Sequence, residues 1–183
     1  NLCRHWLGAQ PPSLTAAFHW PLVSSPADLS QAIAGGAPVR ILVTGGAGFI
    51  GSHIVDAYVE LGHEVAVIDN LATGRRSNVN RRATLHEVDI HSRELEAIFE
   101  SFRPEVVNHH AAQASVKIGQ SDPVHDLEVN GGGTARVLQL AAAAGARKVI
   151  YASSGGTVYG EPASLPVTED HPIAPRSNYG TSK

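Results

Sequence analysis

The feature that most constrains the fold is a glycine-rich segment, TGGAGFIG, which lies between an apolar run and an amphipathic run. The run before it, VRILVT, is short and rich in β-branched residues, which is typical of a buried parallel strand. The run after it, FIGSHIVDAYVELG, has apolar residues at helical spacing and a glycine stop at Gly62. A strand, a glycine turn and a helix in this order predict the start of a βαβ unit.

The alternation of strand and helix patterns continues along the chain. Further strands are predicted at HEVAVID, ATLHEVDI, PEVVNHHAA and RKVIYASS. Helices are predicted at SRELEAIFESF, with Ser92 as its cap, and from Pro123 to about Ala144. This spacing predicts an α/β fold, a doubly wound parallel sheet with right-handed crossovers, over residues 39–183. Three consecutive glycines, residues 131–133, predict a weakened or kinked turn inside the last helix.

Residues 1–38 differ in composition from the rest of the chain. They contain both tryptophans and show no sustained strand or helix period, although SPADLSQAIA could form a short helix. Their apolar residues are interrupted by Gln, Pro, Ser and His, which argues against a signal peptide. We expect an irregular or mobile leader over residues 1–38, followed by the domain over residues 39–183.

Composition excludes several classes of function. The net charge of −3 provides no basic patch, so nucleic-acid binding has no electrostatic support. No run approaches the length of a transmembrane helix, so we expect no membrane association. The single cysteine, Cys3, excludes an internal disulfide. His109 and His110 are neighbours on a predicted strand and point to opposite faces, and the other histidines lack ligand spacing, so no metal site is expected.

The glycine segment also predicts a binding site. Its glycines are spaced three apart at Gly45, Gly48 and Gly51, which suits a tight turn, a close approach to a pyrophosphate, and close helix packing. Asp69 ends the next strand, where a carboxylate can bind both ribose hydroxyls and would repel a 2′-phosphate. NAD is therefore favoured over NADP, although Arg75 and Arg76 weaken that preference.

Six motifs in order carry a family resemblance: TGGAGFIG, VIDNLATG, VDI, HHAAQASV, SSGGTVYG and YGTSK. Over residues 39–183 the chain resembles the N-terminal part of an extended short-chain dehydrogenase/reductase. Within that group it is similar to the NAD-dependent nucleotide-sugar epimerases of the UDP-glucose 4-epimerase type. The resemblance implies a Rossmann-like NAD-binding domain.

The resemblance implies roles for residues at each motif. The positions implied at the cofactor are Gly45, Gly48, Phe49, Ile50, Gly51, Asp69, Asn70, Leu71, Thr73, Gly74, Asp89, Ile90, His110, Ala111, Ala112, Gln113 and Asn130. Tyr179 and Lys183 match the catalytic pair, in which the tyrosine as phenolate removes the proton of the sugar C4 hydroxyl while hydride leaves C4. Lys183, four residues on, would favour the phenolate.

Two departures from the family pattern affect these roles. The family often has a Ser or Thr where this chain has Gly155, so Ser154 or Thr157 must supply that hydroxyl, and we take Ser154 as the catalytic residue. Dehydratases of the wider group carry an Asp–Glu pair in this segment, and its absence here disfavours 4,6-dehydration.

Family members continue for well over a hundred residues past the lysine, so we expect a domain truncated before the C-terminal substrate domain. The implied function is the NAD-binding portion of a nucleotide-sugar 4-epimerase, inactive as the isolated chain, cytoplasmic, with a nucleotide-diphosphate sugar, first of all a UDP-sugar, as the partner of the full-length relative. The resemblance leaves a homodimer open. The alternatives are a non-catalytic dinucleotide-binding fragment, or a nucleotide-sugar decarboxylase or dehydratase of the same family.

Overall fold

The computed structural model describes residues 37–183, so the predicted leader lies outside the described residues except for its last two positions. The short helix predicted within that leader lies outside them as well. Residues 37–39 carry no regular structure, and the first strand begins at Arg40, one residue after the predicted start of the domain.

Five parallel strands form one sheet. They are β1 (Arg40–Thr44), β2 (Glu64–Asp69), β3 (Thr84–Glu87), β4 (Val106–His109) and β5 (Lys148–Tyr151). Their order in space is β3-β2-β1-β4-β5, and every neighbouring pair is parallel. The chain therefore winds outward from β1 in both directions, which confirms the predicted doubly wound sheet.

Helices follow the strands and connect them. They are α1 (Phe49–Glu60), α2 (Glu94–Phe102), α3 (Val116–Ser121), α4 (Pro123–Leu127), α5 (Gly133–Ala143), α6 (Gly155–Val158) and α7 (Asn178–Ser182). A 3₁₀ turn occupies Arg76–Asn78, and a π-helical turn, Glu128–Gly132, joins α4 to α5. Within residues 37–183 no helix has the length and apolarity needed to cross a membrane.

The core lies on both faces of the sheet, because successive side chains of a strand point to opposite sides. Ile41 and Val43 of β1 pack with Val55 and Val59 of α1 on one face. On the other face Leu42 belongs to a cluster formed with α2 and α5, whose buried members are Leu42, Ile68, Ile90, Leu95, Ile98, Phe99, Val107, Val137 and Ala141. Apolar burial on both faces explains why the strands read as continuous apolar runs in the sequence.

Two local features differ from the sequence prediction, and a third agrees with it. The helix predicted to be capped by Ser92 begins two residues later, although the Ser92 hydroxyl still accepts a hydrogen bond from the Glu94 amide at 3.2 Å. The sequence did not predict α3, a short helix capped by Ser115, whose hydroxyl accepts from the Ile118 amide at 3.3 Å. The predicted long helix from Pro123 is present, and its expected irregularity at the glycines is the π turn.

The tightest packing in the first βα unit occurs at Gly51. A Cβ atom on this residue would overlap the carbonyl oxygen of Gly45, which belongs to the same turn. Gly45 itself has φ +69°, a left-handed conformation that a side chain disfavours. The start of α1 can therefore lie against the end of β1 only if both positions are glycine.

We predict that Gly51→Ala lowers the free energy of unfolding by about 2–3 kcal/mol, because the new methyl group forces α1 away from the turn. Urea unfolding followed by circular dichroism measures the change. The matched control is Gly155→Ala, where a Cβ would meet nothing within 4 Å, and its stability should stay equal or rise by up to about 1 kcal/mol. Equal stabilities of the two variants would contradict this packing argument.

Candidate functional site

The predicted site residues lie where the strands end. In a parallel sheet the carboxyl ends of all strands lie at one edge, and most of the predicted residues lie at these strand ends or in the connections that follow them. In strand order they are residues 45–51, residues 69–74, residues 89–90, residues 110–113 and Ser154. The order of strands reverses between β1 and β4, so a crevice is expected between the connections after these two strands.

The glycine turn after β1 leaves backbone donors without partners in the helix. The Gly45 amide donates to the Ile68 carbonyl at 2.7 Å, which fixes the turn against β2. The first bond of α1 runs from the Ser52 amide to the Gly48 carbonyl at 3.0 Å. The amides of residues 49–51 precede that bond and are the free donors of a helix start, where a negative charge is stabilised. The side chains of Phe49 and Ile50 are 80% and 63% exposed.

Asp69, at the end of β2, connects this turn to the next loop. Its Oδ2 accepts from the Ala47 amide at 2.9 Å, and its Oδ1 accepts from the Leu71 amide at 2.8 Å. The residue is only 8% exposed. A carboxylate has about four acceptor positions, so two amide donors leave capacity for further donors. Asp69 therefore organises the backbone of two connections and still has acceptor capacity for a ligand.

The loop after β2 folds back onto the glycine turn. Asn78 donates to the Ala47 carbonyl at 2.9 Å, and the Arg75 amide donates to the same oxygen at 3.0 Å. Thr73 is exposed in this loop. Gly74 packs closely against Ala47, because a Cβ on Gly74 would lie 2.9 Å from the Ala47 Cβ. The Arg76 guanidinium is paired with Glu87. Arg76, one of the two arginines that weaken the predicted preference for NAD, is therefore already engaged in an ion pair.

Asp89, after β3, is held by a small polar cluster. Asn70 donates to its Oδ2 at 2.7 Å, and the His91 amide donates to its Oδ1 at 2.8 Å. Partial burial alone would raise the pKa of Asp89, but the hydrogen bonds from His91 and Asn70 outweigh it and hold the pKa below its ordinary value. The side chain of the neighbouring Ile90 is buried in the core, so the backbone of this residue, rather than its side chain, is suited to ligand contact.

His109, the last residue of β4, is buried and linked to hydroxyls on both sides. Its Nδ1 lies 2.6 Å from Thr44 Oγ1, and its Nε2 lies 3.0 Å from Thr134 Oγ1 in α5. Thr44 Oγ1 accepts from the Ala111 amide at 3.2 Å, so its own proton is available to Nδ1. Burial, with the nearby positive charge of Lys183 and that of His110, lowers the pKa of His109 to about 4. The imidazole is therefore neutral at physiological pH.

The next residue, His110, is less buried than His109. Burial and the charge on Lys183 also lower its pKa, and its Nε2 is buried without a hydrogen-bond partner within residues 37–183. Its backbone lies against the glycine turn, since a Cβ on Gly45 would come within 2.8 Å of the His110 carbonyl carbon. Ala111 packs against the same turn, because a Cβ on Gly45 would lie 2.7 Å from its amide nitrogen.

Asn130 lies in the π turn and is almost fully buried. Its Oδ1 accepts from the Gln113 amide at 2.9 Å, and its Nδ2 donates to the Gln113 carbonyl at 3.1 Å. Its Nδ2 also lies 3.0 Å from Ser182 Oγ. The side chain thus joins the loop after β4 to α7, and its hydrogen bonds are made within the protein.

The Tyr–Lys pair is carried by α7, which is capped by Ser177. Tyr179 is 8% exposed, and the Lys183 amide donates to its carbonyl at 3.0 Å. The Lys183 ammonium lies 4.7 Å from the centroid of the Tyr151 ring, which in turn stacks on His109 at 5.8 Å. Burial lowers the pKa of Lys183, and the negative charge of Asp126 offsets part of that effect.

The structure distinguishes the two hydroxyls that could replace the family's Ser or Thr. The Thr157 hydroxyl donates to the Ser154 carbonyl at 3.4 Å, within the first turn of α6. Ser154 begins the same helix, and its hydroxyl makes no capping hydrogen bond. Ser154 is thus the freer of the two, and its catalytic role stays a prediction.

Two residues of this region were missed by the sequence reasoning. Tyr151, under Lys183, ends a predicted strand, and an aromatic residue in that place is ordinary for a strand. Asp126 is a buried acid in α4, and its place four residues before Asn130, on the same helix face, was the available signal. Within residues 37–183 no cluster of three potential metal ligands occurs.

The chain matches one family of known proteins over most of its length. The model of the NAD dependent epimerase/dehydratase family matches residues 41–183. The UDP-glucose 4-epimerase of Mycolicibacterium smegmatis is 43% identical over 150 residues, which cover 79% of this chain and 48% of that protein. The chain thus spans about half the length of the curated relatives it matches.

Solved structures give the same picture. The Thermus thermophilus UDP-glucose 4-epimerase in complex with NAD matches with a TM-score of 0.76 and 49% identity, covering 79% of this chain and 47% of that one. The Thermotoga maritima UDP-glucose 4-epimerase with UDP-glucose matches with a TM-score of 0.76 and 45% identity, over the same shares of the two chains.

The lowered pKa of His109 predicts a specific dependence of stability on pH. The neutral histidine contributes stability that is fully present above its ordinary pKa of 6.5 and is lost as the pH falls toward about 4, because the unfolded chain takes up this proton first. Between pH 7 and pH 4 we expect the wild type to lose on the order of 3 kcal/mol more than His109→Gln, whose amide does not titrate in this range.

Urea unfolding at a series of pH values measures this difference. His53→Gln is the control, because it replaces a histidine whose side chain is exposed. A constant difference between wild type and His109→Gln across the range would contradict the neutral, buried state of His109.

Proposed function

The chain belongs to the NAD dependent epimerase/dehydratase family, and from that premise we propose that it is the NAD-binding portion of a nucleotide-sugar 4-epimerase. One observation carries the proposal: the glycine turn, the acid at the end of β2 and the Tyr–Lys helix follow strands that end at the same edge of the sheet. A dinucleotide held by the first two features would extend along this edge toward the third.

The residues present fit a dinucleotide. The free amides at the start of α1 suit a pyrophosphate, and the glycine turn allows it to approach the backbone. The acceptor capacity left on Asp69 suits the ribose hydroxyls, and its charge disfavours a 2′-phosphate. Asp89, held as a carboxylate by Asn70 and His91, suits the exocyclic amine of an adenine. These contacts favour NAD over NADP.

The proton chemistry would fall to the side chains at the far end of this edge. NAD held by these residues would supply reversible hydride-transfer chemistry for the sugar. Tyr179 would remove the hydroxyl proton, and Lys183, four residues on, would complete the proposed pair. Ser154, whose hydroxyl makes no capping hydrogen bond, would orient the reacting hydroxyl. Tyr151 and the neutral His109 lie beneath the ammonium, so they add no competing charge.

The substrate class is proposed from the relatives. Two of them are UDP-glucose 4-epimerases solved with NAD or with UDP-glucose, so we propose a nucleotide-diphosphate sugar, first of all a UDP-sugar. A decarboxylase or dehydratase of the same family is the alternative activity. A cytoplasmic location and a homodimeric assembly also stay proposals.

A second function is favoured by one observation. The matched part covers 48% of the Mycolicibacterium smegmatis relative, so about half of that protein has no counterpart in this chain. This favours a dinucleotide-binding fragment without turnover of its own. Cofactor binding and turnover are therefore tested separately.

For cofactor binding, we predict that the purified chain binds NAD at least about tenfold more tightly than NADP, because a 2′-phosphate would meet the buried charge of Asp69. Isothermal calorimetry with the two dinucleotides measures the ratio. Asp69→Asn should bring the ratio toward one, while Glu60→Gln, at the end of α1, should leave it unchanged. Tighter binding of NADP by the wild type would refute the assignment of Asp69.

For turnover, we predict that the 183-residue chain with added NAD converts no measurable UDP-galactose to UDP-glucose, because it covers only about half of a relative's length. Product formation is followed by chromatography, and the baseline is the Tyr179→Phe variant, which lacks the proposed base. Product above the level of this variant would show that the chain is an active epimerase and would refute the fragment proposal.

A further inference from the structure

Asp126 is a carboxylate that none of the roles above uses. It lies in α4, four residues before Asn130, and none of its surface reaches solvent. Burial of an isolated charge is costly, so a carboxylate persists at such a position only with partners that stabilise it. The identity of those partners therefore indicates what the residue does.

Within residues 37–183, every side chain in hydrogen-bond contact with the Asp126 carboxylate can act as a donor. Gln113 Nε2 lies 2.5 Å from its Oδ1, and Asn130 Nδ2 lies 3.4 Å from the same oxygen. The Ser182 hydroxyl lies 2.5 Å from its Oδ2. Because an ionised carboxylate only accepts hydrogen bonds, this set of donors fits the ionised form.

The contact with Ser182 links the carboxylate to α7. The Ser182 hydroxyl has one proton and two acceptors, Asp126 Oδ2 at 2.5 Å and the Tyr179 carbonyl at 3.0 Å, and we assign the proton to the shorter contact. The same oxygen accepts from Asn130 Nδ2 at 3.0 Å. Ser182 is the residue before Lys183 and the third after Tyr179. The two polar side chains on α4 and the π turn thus fasten the residue that lies between the members of the Tyr–Lys pair.

Close packing of three helices brings these groups together. Asn178, the first residue of α7, donates to the Gly119 carbonyl of α3 at 3.1 Å. A Cβ on Gly119 would lie 2.8 Å from Asp126 Oδ1 and 3.2 Å from the Cβ of Tyr179. Only a residue without a side chain at this position lets α3, α4 and α7 meet around the carboxylate.

We propose that Asp126 is a positioning residue for the Tyr–Lys helix: it fastens α7 through Ser182, and this contact places its negative charge beside the residue that precedes Lys183. The proposal rests on the proposed function only in giving Tyr179 and Lys183 their chemical roles. The position and the charge state of the pair can be measured without cofactor or substrate. Failure of this inference and failure of the proposed function are therefore distinguishable.

The fastening of α7 is tested by amide hydrogen exchange with mass spectrometry on the full chain. Asp126→Asn places an amide donor against at least one of the donors that now bind the carboxylate, so we expect exchange in α7 to accelerate about tenfold while the strands stay protected. Asp122→Asn is the matched control, because Asp122 caps the same helix through the His125 amide, and within residues 37–183 no hydrogen bond or ion pair joins its side chain to α7.

Ser182→Ala is the second variant, because Asp126→Asn would report nothing specific about α7 if it lost protection throughout the sheet. This variant removes only the hydroxyl on α7, and we expect the same local acceleration with the strands intact. Exchange in α7 that equals that of the Asp122→Asn control, in both Asp126→Asn and Ser182→Ala, would overturn the fastening role.

The charge is tested by the titration of Lys183. The chain has three lysines, Lys117, Lys148 and Lys183, so carbon-13 dimethylation gives few NMR signals, and Lys183→Arg assigns the relevant one. Asp126→Asn removes the favourable charge, so the pKa of Lys183 should fall further below its ordinary value. Ser182→Ala keeps the charge, so no such fall is expected. An unchanged pKa in Asp126→Asn, or the same shift in both variants, would overturn the charge role.

Discussion

The organisation of the carboxyl edge depends on the hydrogen bonds that the Asp69 carboxylate accepts. One oxygen binds the Ala47 amide in the glycine turn, and the other binds the Leu71 amide at the start of the next loop. The loop after β2 then returns two donors to the Ala47 carbonyl. Ala47 is therefore held through both its amide and its carbonyl, which fixes the start of α1 relative to β2. Because the carboxylate is nearly buried, these bonds are made in an environment where a lost partner is costly.

A second set of contacts carries the arrangement across the sheet to the Tyr–Lys helix. His109 bridges hydroxyls of β1 and α5, Tyr151 stacks on His109, and the Lys183 ammonium lies over Tyr151. Burial and the positive charge of this ammonium together keep the histidine neutral. The polar groups that surround Asn130 complete the support from the opposite side, through the loop after β4. The Tyr–Lys pair is thus supported by the sheet through Tyr151 and by the π turn through Asn130.

Much of this architecture could be predicted from the sequence, since its strands are apolar and its turns carry glycine. The bounds of β2 and the place of Asp69 at its end follow from a short apolar run closed by an acid. The helix α3 could not be predicted, because six residues with an internal glycine have no strong intrinsic preference for a helix. The irregularity at the three glycines was expected from their helix propensity, but its form as a π turn depends on the contacts of Asn130 with Gln113 and Ser182. The roles of Asp126 and Tyr151 depend on packing between segments far apart in the chain, which periodicity does not report.

The central claim is that the carboxyl edge of the sheet forms a dinucleotide site centred on the glycine turn and Asp69. The most direct test is a nitrogen-15 NMR titration of the labelled chain with NAD. Saturable shifts are expected at the amides of residues 45–51, 69–74, 89–90 and 110–113, of Asn130 and of the Tyr–Lys helix, while residues 61–63 and 103–105, at the opposite edge, stay unchanged. Shifts centred on the opposite edge, or no saturable shift at any NAD concentration, would contradict it.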